Sequence, residues 1–304
     1  MGVVEGLVQV AGNSALDVLV RDIEALDVAA QDAWGANVQL LSQPISAVLG
    51  GCGAAPAYVL GRLGMRVVLN TNLGSDIWGQ MLIRWLEEVG VEVLPAREEA
   101  SAVHVIALDP NGRRRSFYYT GSRVDWERTL ASETPEWFFA SGYGKVQARD
   151  LEDLHRICTE LRCRGTRIFF DPSPWFVGRV GVEAMHAFWA EVDCLSATEE
   201  ELAEWETGGN YQVWAEGVLA KGVDKVVVKR GAKGAFFAQR NGRCGQVAVE
   251  PVAGANTVGA GDSFNGRLVY GLVRGEELNV AVGAAARLAT RVVRGGRGVL
   301  GLDT

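Results

Sequence analysis

The chain has 304 residues, 48% hydrophobic and 22% charged, with a net charge of -7 at pH 7. That length suits one large α/β domain, or a large domain with a small appendage, because single cores seldom grow beyond roughly 250–300 residues. The acidic balance argues against a nucleic-acid partner while leaving room for a local basic pocket for a small anion, and no apolar run approaches membrane-span length.

The first segment, "MGVVEGLVQVAGNSALDVLV", has no basic region ahead of its apolar run, and Glu5 and Asp17 interrupt it. It reads as a first strand rather than a signal peptide. "SALDVLVR", "NVQLLSQPISAVLGG", "SAVHVIALDP" and "RRRSFYYT" read as strands of alternating or mixed polarity, predicted over about 13–20, 33–48, 102–109 and 114–120. Asn111-Gly112 is a hairpin-turn signal between the last two. These strands come in two separated blocks. A small sheet over one end of the main domain accommodates both, as does an extended edge of the main sheet.

From about Arg66 the pattern changes to alternation. "MRVVLN" is followed by the helical "DIWGQMLIRWLEEVG", "EWFFASG" by the amphipathic "ARDLEDLHRICTELRCRG", and "TRIFFD" by "GVEAMHAFWAEV". "DCLSA", the helix "TEEELAEWE" and the buried run "DKVVVKRG" come next, and two helices close the chain at about Asp262–Arg274 and Glu276–Val293. Apolar strands separated by helices predict an α/β fold: a doubly wound, mostly parallel sheet with helices on both faces. No repeat or long linker divides the chain, so 1–304 is expected to be one domain. The five cysteines are scattered without a CxxC pair, which fits reduced thiols in a cytoplasmic protein. His104, His155 and His186 stand alone and read as surface or satisfied core histidines rather than zinc ligands.

"ANTVGAGDSFNGRLVYGL", residues 255–272, joins a strand-like run to an apolar helix. Unpaired N–H groups at a helix start attract anions, and glycines let backbone approach a phosphate closely. Asp262 in that turn either caps the helix or takes a proton from a hydroxyl attacking a phosphoryl group; from this stretch alone the two readings stand level. No GxxxxGK[ST] loop and no GxGxxG after the first strand is present, which removes P-loop kinases and ordinary dinucleotide enzymes. Weaker signals are the glycine-rich "GGCGAAPAYVLGRLG", "GSDIWG" with Asp76 as a cap, Glu201 in "ATEEELAEW", and "VVVKRGAKGAFF" with Lys229 at a strand end.

In this order and spacing these pieces resemble the ribokinase-like carbohydrate kinase family, the phosphofructokinase-B type, over nearly the whole chain. "TVGAGDSFNG" looks like the family's C-terminal signature and "GGCGAAPAYVLGRLG" like its N-terminal one. The resemblance implies a doubly wound domain with a small β-sheet lid, often used to form a homodimer, and transfer of the ATP γ-phosphate to a hydroxyl of a sugar or sugar-like molecule. By that resemblance Asp262 is the catalytic base, and the backbone of Gly259, Ala260 and Gly261 is the anion hole. Asn13, Asp17, Gly50 and Gly51 hold the sugar. Thr198, Lys229, Gly231, Gly234 and Ala285 serve the nucleotide, and Glu201 organises Mg2+ through water.

The chain departs from the family pattern at Ala55 and Thr198, where Asn is usual, and at Asn256 and Val258, where Asp and Thr are usual. The last two argue against strong activation by a monovalent cation. The departures leave two alternatives: a nucleoside kinase of the same fold, with Trp34, Phe117, Tyr118 or Tyr119 as an aromatic wall, or a sugar- or nucleotide-binding regulator without turnover. The hairpin "GRRRSFYYTGSR" reads first as a solvated basic hairpin; it also has a mild likeness to members acting on acidic sugars, with Arg113, Arg114, Arg115 or Arg123 to pair a carboxylate.

Overall fold

The computed structural model describes residues 4–23, 38–94, 100–109, 113–129, 133–142, 144–206, 208–252 and 257–302. The strands among them are β1 (Val4–Ala11), β2 (Ala15–Val20), β3 (Ser46–Gly50), β4 (Met65–Asn70), β5 (Val91–Leu94), β6 (Ala102–Leu108) and β7 (Arg114–Tyr119). They continue with β8 (Trp137–Ser141), β9 (Arg167–Asp171), β10 (Cys194–Thr198), β11 (Lys225–Lys229), β12 (Ala235–Gln239) and β13 (Cys244–Val247). The helices are α1 (Ala54–Arg62), α2 (Ile77–Glu87), α3 (Ala148–Cys163), α4 (Val182–Trp189), α5 (Glu199–Ala203), α6 (Tyr211–Ala220), α7 (Ala260–Val273) and α8 (Leu278–Gly295).

Nine strands form the main sheet in the order β13-β12-β11-β10-β9-β8-β1-β4-β5. It is parallel except for β12, which is antiparallel to both β11 and β13. Its central strands are apolar on both sides, and successive residues feed opposite cores. Phe139, Phe169 and Val227 pack with α1, α7 and α8, whereas Phe138, Phe170 and Val228 pack with α3, α4 and α6. Helices on both faces follow directly from that alternation, as the sequence pattern predicts.

A second sheet has the order β3-β2-β6-β7. β2 and β6 pair parallel, and β3 and β7 flank them antiparallel. Both separated blocks of strands contribute to it. The strand expected over 33–48 is displaced: residues 38–45 carry no strand, and β3 begins only at Ser46. Pro44 has no N–H to give a ladder, and Val38, Leu40 and Ile45 are exposed instead of alternating into a core. Residues 33–37, Trp34 among them, and Asn111-Gly112 lie outside the described residues.

The small sheet is tied to the large one through two short joints. Residues 12–14 link β1 to β2, and residues 51–53 link β3 to α1. The joints lie against each other, the Gly53 N–H donating to the Asn13 carbonyl at 2.9 Å. A side chain at Gly53 would overlap the Gly12 backbone, and Gly51 is left-handed at φ +94°. This crossing puts the small sheet over the carboxyl ends of the parallel strands, where ligands of open α/β sheets bind.

Candidate active site

The register of the small sheet sets one wall of a cavity. Asp17 pairs across with His104, and His104 with Tyr118, so the three stand in a row over β2, β6 and β7. His104 Nδ1 lies 3.4 Å from Asp17 Oδ1, and the His104 and Tyr118 rings meet edge to face at 5.2 Å. Asn13 closes one side. Its Nδ2 donates to the Tyr118 hydroxyl at 2.8 Å, and its Oδ1 accepts from the Cys52 N–H at 3.0 Å. With Gly51, Arg114, Gly259 and Asp262 these residues line a cavity of about 180 Å³. Gly50 lies just behind it: a side chain there would overlap the Asp17 carboxylate.

A second cavity of about 340 Å³ lies on the other side of the turn that starts α7. Thr198, Lys229, Gly231, Gly234, Ala260 and Gly261 line it, and Ala286, Ala289 and Thr290 of α8 form its far wall. Gly231 and Gly234 have φ of +54° and +84°, which brings the β11–β12 backbone to its edge. Ala285, expected here, is fully buried in the core instead. One step along a helix turns a side chain by about 100°, and that step separates Ala285 from Ala286. Ala55 is likewise fully buried in α1 and lines neither cavity.

The turn between the cavities has the features expected of an anion site. Gly259 occupies the position ahead of α7 with φ +78° and makes no side-chain cap. Asp262 sits in the first helical turn, yet its carboxylate accepts no hydrogen bond among the described residues, so it does not cap the helix. The Ala260 N–H donates to the Thr257 carbonyl at 3.1 Å, whereas those of Gly259 and Gly261 meet no acceptor among the described residues. Asn256 lies outside the described residues.

Behind the turn is a charged network that the sequence reading missed in part. Lys229 Nζ donates to Asp171 Oδ2 at 2.8 Å, the Asn265 amide donates to the same oxygen, and Ser196 Oγ donates to Asn265 Oδ1 at 2.7 Å. Asp171 ends β9; its signal in the sequence is an acid closing the buried strand "TRIFFD" at the edge where ligands bind. Glu201 is held by a reciprocal capping box, its Oε2 accepting from the Thr198 N–H at 2.7 Å. Burial, then the neighbouring Asp171, raises the Glu201 carboxyl above its usual range, against the pull of Lys229. Burial works against the Lys229 charge, but Asp171, Glu201 and Asp262 outweigh it and raise its pKa. Asp262 is half-buried. Desolvation, then Asp171, pushes its carboxyl up to about 7 despite Lys229. A carboxyl tuned to that value is suited to proton transfer near neutral pH.

The remaining sequence expectations sort cleanly. Asp76 caps α2, accepting from the Gly79 N–H at 2.8 Å and from Ser101 Oγ at 2.7 Å. His104, read as a surface or core histidine, faces the first cavity, because its register partner is Asp17. Arg113 is paired with Asp109 at 2.6 Å, and Arg123 with Asp150 at 3.1 Å. Arg115 lies 5.3 Å over the Phe117 ring. Arg114 alone of the four lines the cavity, and among the described residues it forms no ion pair. All five cysteines are free, and no described helix is long and apolar enough to cross a membrane.

Comparison with known proteins agrees with this geometry. The model of the pfkB family of carbohydrate kinases matches residues 17–302. The chain belongs to that family. It is 27% identical to the uncharacterized sugar kinase YegV of Escherichia coli, over 95% of this chain and 89% of that one. It is 25% identical to the 2-dehydro-3-deoxygluconokinase of Haemophilus influenzae, over 73% of this chain and 77% of that protein. Among solved structures, the ribokinase of Thermotoga maritima superposes with a TM-score of 0.78 at 20% identity, covering 98% of this chain and 96% of that one. A nucleoside kinase of Methanocaldococcus jannaschii does so with the same score at 18% identity, covering 98% and 94%. These likenesses establish the ribokinase fold, and the family match makes the protein a carbohydrate kinase.

Proposed function

We propose that this pfkB-family kinase transfers the γ-phosphate of ATP to a hydroxyl, expected to be primary, of a sugar or sugar-like acceptor held in the smaller cavity. One observation carries the reading: the turn before α7 is the wall between two cavities, with Gly259 and Asp262 facing one and Ala260 and Gly261 the other. A phosphoryl group passing from one side to the other crosses that turn. Asp17, Asn13 and the Gly50-Gly51 backbone orient the acceptor. Asp262 takes the proton from its hydroxyl. The N–H groups of Gly259 and Gly261 stabilise the charge on the migrating phosphoryl oxygens, and that of Ala260 joins them by releasing Thr257. Lys229, Gly231, Gly234 and Thr198 hold the nucleotide phosphates.

The donor set is suited to Mg2+ held mainly by the nucleotide. Asp171 and Glu201 are crowded carboxylates, but no group of three acidic, His or Cys side chains able to bind a metal occurs among the described residues. Glu201 would then reach the ion through water, and the ion would neutralise phosphate charge. Strong potassium activation is not part of the reading, since Val258 packs against the apolar cluster of the small sheet and offers no side-chain oxygen. Pairing of two copies through the small sheet is, and the exposed Phe117 and Tyr119 support it. So is a cytoplasmic location, where free cysteines persist.

Arg114 narrows the acceptor. A guanidinium without an ion pair beside His104 favours an acceptor that carries a carboxylate. The test is a coupled ADP-release screen over pentoses, hexoses, acidic ketosugars and nucleosides, with Asp262→Asn as the blank. Turnover of a sugar, highest for an acidic one, is the expected result. Binding without turnover for every acceptor would establish the regulator instead, and a nucleoside as best acceptor would establish the other kinase.

A further inference from the structure

A third cavity adjoins the 340 Å³ cavity and is separate from the smaller one. It encloses about 670 Å³ between the end of α1, the 248–250 segment and the outer side of α7 and α8. Four arginines line it, Arg267, Arg287, Arg291 and Arg294, against a single acid, Glu250. With Glu276, the partner of Arg267, counted beside Glu250, a chain of net charge -7 still gathers an excess of two positive charges at one concavity. The arginines are not equivalent. Arg267 is held by Glu276 at 3.0 Å, and Arg294 by Glu250 at 2.6 Å. Arg287 and Arg291 form no ion pair and donate to no acceptor among the described residues, although they stand one helical turn apart on an exposed stripe. The helix dipole favours a cation in the last turn, which accounts for Arg294 and not for Arg287 in the middle of α8. All four cations are arginine, whose planar fork suits phosphate oxygens.

We propose that this cavity is an effector site for a phosphorylated small molecule, with Arg287 and Arg291 as its primary contacts and Arg294 recruited from Glu250. Val249, Glu250 and Thr290 line both this cavity and the 340 Å³ cavity. An anion that draws Arg294 away leaves the Glu250 carboxylate uncompensated at the wall of the nucleotide cavity. Nucleotide affinity falls, and by linkage nucleotide weakens the anion by the same factor. The site itself is independent of the kinase reading; only this coupling rests on it.

The test is calorimetric titration of the intact protein with fructose 1,6-bisphosphate, inorganic pyrophosphate and sulfate, with ADP present to occupy the nucleotide cavity. Arg287→Ala/Arg291→Ala and, separately, Arg114→Ala are titrated alongside. One bisphosphate per chain is expected, weakened at least tenfold in the double variant and unchanged in Arg114→Ala. Pyrophosphate as tight as the bisphosphate identifies a free-phosphate site; a preference for the bisphosphate identifies an ester site. No binding above the sulfate level, binding that survives the double substitution, or binding lost in Arg114→Ala overturns the proposal. For the coupling, ADP affinity should drop at least threefold with bisphosphate present in the wild type and not in the double variant. Binding with unchanged ADP affinity refutes the coupling, and because ADP binding is read without turnover, that failure is distinct from failure of the kinase reading.

Discussion

Replacing Asp262 by Asn removes the proposed base and the electrostatic burden it carries. Loss of a positioned general base lowers turnover by about a hundredfold to ten-thousandfold. The stability effect has the opposite sign. The carboxyl is raised from 3.8 to about 7 in the folded protein. A group raised in this way costs nothing below its unfolded pKa, and the stability it allows is lost as pH climbs through the folded value. Fully developed, that shift corresponds to about 4 kcal/mol, and partial exposure of the carboxyl cuts it to roughly 1–2 kcal/mol. The variant should therefore match the wild type near pH 4 and exceed it increasingly up to about pH 7, with a plateau above. Urea midpoints at half-unit pH steps read the stability, and ADP release at pH 8 reads the activity. A variant that loses turnover and is also less stable at pH 8 would refute the reasoning, because Asp262 would then be a structural partner rather than a destabilised functional group.

Three further outcomes follow from the same geometry. The wild-type kcat/KM should fall on the acid side of about pH 7 with a slope of one, since only ionised Asp262 accepts the proton; Lys229→Met should move that limb upward and raise the KM for ATP at least tenfold, measured as pH profiles at subsaturating nucleotide. Gly50→Ala, whose methyl overlaps the Asp17 carboxylate, should raise the KM for the acceptor at least tenfold with ADP affinity unchanged by calorimetry. Iodoacetamide at pH 8 should label Cys163 and Cys244, which are exposed, and spare Cys158 and the buried Cys52 and Cys194, whose thiols burial pushes up to about 12; peptide mass mapping reads this directly.

The doubly wound core was legible because its strands are buried on both faces and its helices are long and periodic. α6 and the short strands β5 and β12 went unread, being brief or adjoining a stronger motif. The glycine turn before α7 was legible because closely spaced glycines, an acid and an apolar helix leave a local signature. What sequence could not supply was registration between distant segments. His104 looked like an isolated histidine until pairing set it opposite Asp17, some eighty-seven positions away. Asp171 looked like a strand end until Lys229 and Asn265, from two other elements, converged on it. Ala285 failed for a smaller reason: a motif locates a helix, but only packing decides which of two adjacent alanines looks outward.

The two joints at residues 12–14 and 51–53 give the molecule a division of labour. Every side chain that would grip the acceptor, apart from Asp262, is carried by the small sheet or the joints themselves, whereas the groups that would handle the nucleotide belong to the large sheet and its last helices. Changing what is phosphorylated then requires rewriting a few short strands, and the machinery for the phosphate donor can be inherited intact.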